Sequence, residues 1–312
     1  MRIGIVVDSA CDLPADWLTA HEVKLLPVTV KIGQSQFVDM RDEGATLDFV
    51  ESHVAGRHTA ETAAFPADKI KALFLDELVI DYDYVFCLTV TRHRSQIHDN
   101  ATHASFAILN EYRPIRAQAG CTTPFALRIV DSQQVFAGQG ILPVEAVRLR
   151  DAGASAPEIR TRLEFLAERS YAYMVPRDLA YLRARIKHRG DRSVSMLAAL
   201  IGSALDIKPV LHCHRGDTGP VGKIRGFEPA AERLFAFAVE RVRAGLLTPT
   251  LCLSYGGDLA QMRALPGYAE LVTACETHHV ERFETVMSLT GIVNVGVGSL
   301  TIGFAAPPHA FS

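Results

Sequence analysis

The strongest constraint on the fold is the way short apolar runs alternate with helix-type patterns through the N-terminal half. The runs are Arg2–Val7, Tyr84–Thr89 and Ala126–Val130, and the helical patterns cover Ala15–His21, Pro66–Leu78, Ile97–Tyr112 and Val135–Asp151. Runs of about 4–6 apolar residues suit strands buried on both faces, so the alternation predicts a mostly parallel sheet with helices on each side. Pro14 opens the first helix and Asp12 is its predicted N-cap. Lys24–Ile32 and Ser35–Met40 read as two extended segments joined by a Gly33-Gln34 turn. Ligands of such sheets bind beyond the carboxyl ends of the strands. Three turns therefore matter: Asp8-Ser9, Thr91–Ser95 and Asp131-Ser132-Gln133.

The second half has a different texture. Predicted helices over Pro157–Arg169, Ser193–Leu205 and Pro229–Ala244 are mixed with short strands. The strands are Ala172–Val175, Ile207–Cys213, Gly222–Phe227, Thr250–Ser254, His279–Thr285, Gly291–Val295 and Leu300–Phe304. That mixture predicts an α+β unit on a largely antiparallel sheet. The small-residue stretch Asp151–Pro157 separates the halves, with Ser155 and Glu158 spaced as a capping box. The expected division is 1–156 and 157–312.

The chain of 312 residues is 48% hydrophobic and 21% charged, which supports a sizeable core and argues against disorder. A net charge of −3 gives no reason to expect nucleic acid or an anionic membrane as a partner. The six cysteines form no C-x-x-C pair, and several lie inside apolar runs, as in a reduced cytoplasmic protein. The opening apolar run is short and interrupted by Asp8, unlike a signal peptide. No stretch is apolar over the ~18 residues that a membrane span needs.

Four motifs carry possible chemistry. In TVTRHRSQ, from Thr89, Ser95 stands before a predicted helix, among Arg92, His93 and Arg94. A helix N-terminus attracts anions; an ordinary cap with solvated arginines reads the same local sequence equally well. In NVGVGSLTIGF, from Asn294, the G-x-G lacks the strand–helix context of a dinucleotide fingerprint. It reads as a hairpin or as a place of close backbone approach to a ligand. The basic run Leu179–Arg192 lacks interleaved aromatics and reads as a solvated helix end. His212 and His214 share one strand face and Cys213 takes the other, with no carboxylate pair to complete a metal site.

Taken in order, several segments resemble the DegV family over nearly the whole chain. They are Asp8-Ser9 with Asp12-Leu13-Pro14, Leu26-Pro27-Val28, Phe37-Val38-Asp39, Asp131-Ser132 with Gly138 and Gly140, Leu179-x-Tyr181-Leu182, Leu205–Leu211 and Lys223-x-Arg225. The resemblance implies two domains with a long-chain fatty acid in the cleft between them. It also implies a cytoplasmic bacterial carrier that presents the acid's head group to a separate kinase. Such a carrier needs no catalytic residue, metal or cofactor of its own.

The family's head-group segments fall on Thr62-Ala63, on Thr91–Ser95 and on Asn294–Gly298. The ligand set implied is Thr62, Ala63, Thr91, Arg92, Arg94, Ser95, Asn294, Gly296 and Gly298. This sequence departs from the family pattern by carrying Ala63 for a serine and Asn294 for a histidine. A neutral amide donates a hydrogen bond about half as strong as a charge-assisted one. Arg92 or Arg94 is placed to compensate. A tail of about fourteen methylenes at ~0.8 kcal/mol each outweighs any one polar contact. Two rivals stay open: a binder or sensor of another amphiphile, and a phosphoryl-transfer enzyme, for which no Walker A sequence or compact acidic cluster is present.

Overall fold

The computed structural model describes residues 1–54, 60–189 and 206–312. Its N-terminal sheet has the order β2-β1-β6-β7 and is parallel throughout. The strands are β1 (Ile3–Asp8), β2 (Lys24–Leu26), β6 (Tyr84–Thr89) and β7 (Ala126–Asp131). Side-chain alternation explains why the first and third of these are buried on both faces. Ile3, Ile5, Val7, Phe86 and Leu88 point to one core, while Val6, Val85 and Cys87 point to the other. The first core is covered by α7 (Ile141–Asp151) and α8 (Ala156–Ala167), and the second by α3 (Ala67–Leu73) and α5 (Ile97–Ala107). Gly4 is required in β1, because a Cβ there would stand 2.7 Å from the Tyr82 ring.

A small antiparallel sheet, β4-β3-β5, stands beside this unit. Its strands are β3 (Val28–Ile32), β4 (Ser35–Asp39) and β5 (Glu61–Ala63), with Gly33 turning at φ +58°. The C-terminal sheet runs β10-β9-β8-β13-β11-β12. It comprises β8 (Ser170–Val175), β9 (Ile207–His214), β10 (Asp217–Arg225), β11 (Thr250–Tyr255), β12 (Glu281–Val286) and β13 (Leu300–Ala305). Every pairing in it is antiparallel except β11 with β12. One face is covered by α10 (Phe227–Ala244) and α12 (Tyr268–Thr277), with α11 (Leu259–Arg263) beside them. The other face turns toward the N-terminal unit.

Several expectations are corrected. Gly291–Val295, expected as a strand, lies in α13 (Leu289–Val295): the Ser288 hydroxyl accepts the Gly291 N–H at 3.0 Å and starts a helix despite the β-branched residues. Asp12 does not cap α1 (Ala15–Ala20); it is buried between the units. The helix expected from Val135 begins only at Ile141. Before it, Gln133 and Phe136 have positive φ, and Ala137 packs so closely under Gly303 that a Cβ there would lie 2.4 Å from the Ala137 backbone. The pattern over Pro66–Leu78 ends in a wider helical turn followed by α4 (Val79–Asp81), and α6 (Tyr112–Gln118) was not foreseen.

The capping box forms as expected: the Ser155 N–H donates to Glu158 Oε2 at 2.8 Å. The helix it opens, α8, packs into the same core as β1 and β6. The helix expected over Ser193–Leu205 lies outside the described residues. All six cysteines are free, and all but Cys121 are buried.

Candidate functional site

Between the two units lies a cavity of about 540 Å³, inside the ~300–1,000 Å³ range of small-molecule pockets. Strand alternation builds one wall. Ala172 and Met174 of β8 pair with Cys213 and Leu211 of β9, which pair in turn with Thr218 and Pro220 of β10. These side chains share the sheet face opposite the α10 core, and all of them line the cavity. The opposing wall comes from the carboxyl ends of the parallel strands: Ala10 after β1, Val90 after β6, and Val135 and Phe136 after β7. The third wall is α9 (Leu179–Arg189), which supplies Leu182, Ile186 and Arg185, with Thr290, Asn294 and Val295 of α13.

The polar groups follow the segment Ala60–Phe65. Arg185 on α9 is 2% exposed. Its Nη1 donates to the Ala60 carbonyl, and its Nε and Nη2 donate to Asn294 Oδ1 at 3.3 and 3.2 Å. Asn294 Nδ2 donates to the Thr290 carbonyl at 2.7 Å. At the other end of the segment, Asn100 Nδ2 donates to the Phe65 carbonyl at 2.9 Å and ties it to α5. The Ser95 hydroxyl accepts the Ile97 N–H at 3.2 Å, so it caps the first turn of α5 and lines the cavity as well. Arg94 Nη2 donates to the Thr218 hydroxyl and bridges the two units. The described lining holds two arginines and no carboxylate. An anionic end group therefore fits it better than a cationic one.

Burial and the helix ends set the electrostatics around it. Asp8, beneath Ala10 and Val90, accepts their N–H groups at 3.0 and 2.6 Å, and burial still raises its carboxyl to about 6. Two carboxylates from the N-terminal unit dock α13. Asp12 Oδ1 accepts the Ser288 N–H at 3.0 Å, and Asp39 Oδ2 accepts the Thr290 N–H at 3.2 Å. They satisfy donors that a helix start leaves open. Burial raises both carboxyls above the usual range. Burial also pushes the Cys213 thiol up to about 12, which makes it an apolar wall group and not a nucleophile.

Of the residues singled out in the sequence, Thr62, Ala63, Arg94, Ser95 and Asn294 line the cavity. Thr91, Arg92, Gly296 and Gly298 do not. Thr91 is buried and braces the loop by donating its N–H to the Gln134 carbonyl at 2.9 Å, while Arg92 is exposed. Gly296 and Gly298 turn the chain after α13 at φ +95° and +73°, where the Gly298 N–H donates to the Gly256 carbonyl. The G-x-G thus joins a helix to a strand. Arg185 was missed, because the basic run around it read as solvated. In that run Arg183 and Lys187 are indeed exposed, and the residues beyond Arg189 lie outside the described residues. The available signal was position: Arg185 falls three and four residues after Leu182 and Tyr181, on the buried face of α9.

Two unlike α/β units closed around one largely apolar chamber define a class of two-domain fold. Comparison with known proteins places this example within it. A family model described as an uncharacterised protein of the DegV family matches residues 2–306, and the chain belongs to the DegV family. A DegV domain-containing protein of Xanthomonas axonopodis pv. citri is 62% identical over 313 residues, covering 100% of both chains. Protein DegV of Bacillus subtilis is 28% identical over 251 residues, 79% of this chain and 80% of its own. Among solved structures, a DegV lipid-binding protein from Thermotoga maritima has a TM-score of 0.75 at 20% identity, covering 98% of this chain and 99% of its own. A stearic acid-binding protein from Eubacterium ventriosum has a TM-score of 0.76 at 20% identity, covering 97% and 98%. These two share the fold. Among the described residues no helix is long and apolar enough to cross a membrane.

Proposed function

We propose that this protein is a carrier of a long-chain fatty acid or a closely related acidic lipid. The tail lies along the apolar walls, and the head group meets Thr62, Ser95 and the Arg185–Asn294 pair. The observation that carries this reading is the cavity itself: about 540 Å³ between the units, with arginines and no carboxylate in its described lining. The lipid-binding and stearic acid-binding proteins of the same fold support it. Burying some fourteen methylenes supplies on the order of 10 kcal/mol before entropy costs. The arginines then select the charge of the head group.

In this reading the chain acts by holding and presenting its ligand. The chemistry belongs to a kinase-type partner, in the cytoplasm. The test is mass spectrometry of a solvent extract of purified protein, followed by reloading with defined acids. A stoichiometric long-chain acid supports the proposal. Protein that carries no lipid and takes none up refutes it.

A further inference from the structure

Arg41 lies outside the cavity lining and is buried between the two units, 2% exposed, with its backbone at φ +62°. That conformation is uncommon for a residue with a side chain, and here it turns the guanidinium inward. Nη1 stands 3.6 Å from Asp12 Oδ1. Nη2 donates to the Leu13 carbonyl at 3.3 Å, the Thr285 hydroxyl at 3.1 Å and the Val286 carbonyl at 3.0 Å. The Arg41 backbone N–H, which any substitution other than proline at this position keeps, donates to Asp39 Oδ1 at 3.2 Å. Asp12 and Asp39 are the two carboxylates that hold the first turn of α13, and Asn294 lies on that helix.

We propose that Arg41 is a positioning residue for the lipid site: it holds Asp12 and Asp39 against α13 and so fixes where Asn294 and its partner Arg185 meet the head group. This rests on the lipid-binding reading above. The alternative role is simple packing between the units. The two differ in their response to pH.

The ionisable groups around Arg41 come from several elements. Asp12 lies on the β1–α1 turn and Asp39 ends β4. Glu43 of α2 (Glu43–Phe49) accepts from the same Thr285 hydroxyl at 2.9 Å. The thiols of Cys11 and Cys252 lie near Asp12, and Asp8 lies near Asp39. Burial already raises Asp12 and Asp39, and Arg41 opposes that rise in both. Removing the guanidinium lets both rise further. Their ionised forms then destabilise the α13 dock at high pH, and protonation relieves this at low pH.

The experiment titrates wild type, Arg41→Met, Arg41→Lys and Arg41→Met with Asp12→Asn against the fluorescent acid cis-parinaric acid at pH 5 and pH 8, with thermal unfolding at both. Arg41→Met is expected to bind about tenfold or more weakly than wild type at pH 8, within the usual range of coupling between sites. The gap should narrow at pH 5 and in the Asp12→Asn background, with Arg41→Lys intermediate. Binding within twofold of wild type at pH 8 overturns the proposal. So does a deficit unchanged by pH and by Asp12→Asn, which marks plain packing. If wild type binds no probe, the lipid reading fails; the clamp is then judged on unfolding alone, supported by a high-pH loss in Arg41→Met that Asp12→Asn reverses and overturned by its absence. If Arg41→Met does not fold at pH 8, recovery at pH 5 or with Asp12→Asn supports the proposal, and failure under all conditions overturns it.

Discussion

Replacing Arg185 by Met keeps an unbranched side chain about as long as the arginine's alkyl stem and removes the guanidinium. Two separable losses follow. The first is structural. Asn294 Oδ1 and the Ala60 carbonyl each lose a buried donor, at on the order of 1–3 kcal/mol apiece. Thermal unfolding should therefore fall by several degrees. The second loss falls on the ligand. A hydrogen bond to a charged group contributes about 1.5–3 kcal/mol, and 1.4 kcal/mol is tenfold in affinity. Binding of a long-chain carboxylate should weaken by roughly 10–150-fold. An alcohol with the same tail makes no charge-assisted bond, so it should lose much less. Calorimetric titration of palmitate and the matching alcohol, on wild type and Arg185→Met, reads both at once. If acid and alcohol weaken by the same factor, Arg185 shapes the wall without reading the charge, and the head-group assignment is wrong.

Other outcomes are equally specific. Ser95→Asp keeps an acceptor for the Ile97 N–H and places a negative charge at the start of α5, worth about 0.3–1 kcal/mol to the helix. Stability should hold or rise while affinity for the acid falls, as thermal unfolding and lipid titration will show. Cys213→Phe sets a ring in the cavity from the β9 wall; co-purified lipid should drop sharply by mass spectrometry while circular dichroism stays native. Gly303→Ala forces a methyl to within 2.4 Å of the Ala137 backbone, and chemical denaturation should show a loss of about 1–3 kcal/mol. Asp8 should titrate near pH 6 by carboxyl NMR. Its carboxyl is raised on folding from 3.8 to about 6, so its favourable contribution, on the order of 3 kcal/mol at 1.36 kcal/mol per unit, is fully present below pH 3.8 and lost as pH rises through about 6.

Periodicity carried most of the fold. β1 and β6 were legible because a strand buried on both faces leaves a continuous apolar run; β7, an edge strand with Ala126 and Arg128 exposed, was legible from its short apolar run alone, and the capping box at Ser155 because its partners are three residues apart. The residues of the proposed head-group site were legible in part. Thr62, Ser95 and Asn294 stood out through the order of motifs along the chain, and they line the cavity. Gly296 and Gly298 stood out through the same pattern; they turn the backbone after α13 and lie outside the cavity lining. Isolated glycines mark a conformation without saying whether a ligand or a neighbouring chain requires it.

The sequence by itself determined what depends on neighbours a few residues apart: the parallel N-terminal sheet, the alternating faces of His212, Cys213 and His214, and the absence of a membrane-length apolar stretch; the order of motifs along the whole chain carried the family. Tertiary structure alone decided what depends on groups far apart in the chain. Asp12 looked like a local cap and is a link to Ser288 of the other unit. Arg185 looked solvated and is buried against Asn294. Gly291–Val295 carried strand formers and became a helix because Ser288, Asp12 and Asp39 satisfy its first N–H groups. Burial of a polar group is settled by the partner that satisfies it, and apart from Ser288, a local cap of Gly291, these partners lie more than a hundred residues away, beyond the reach of any local pattern.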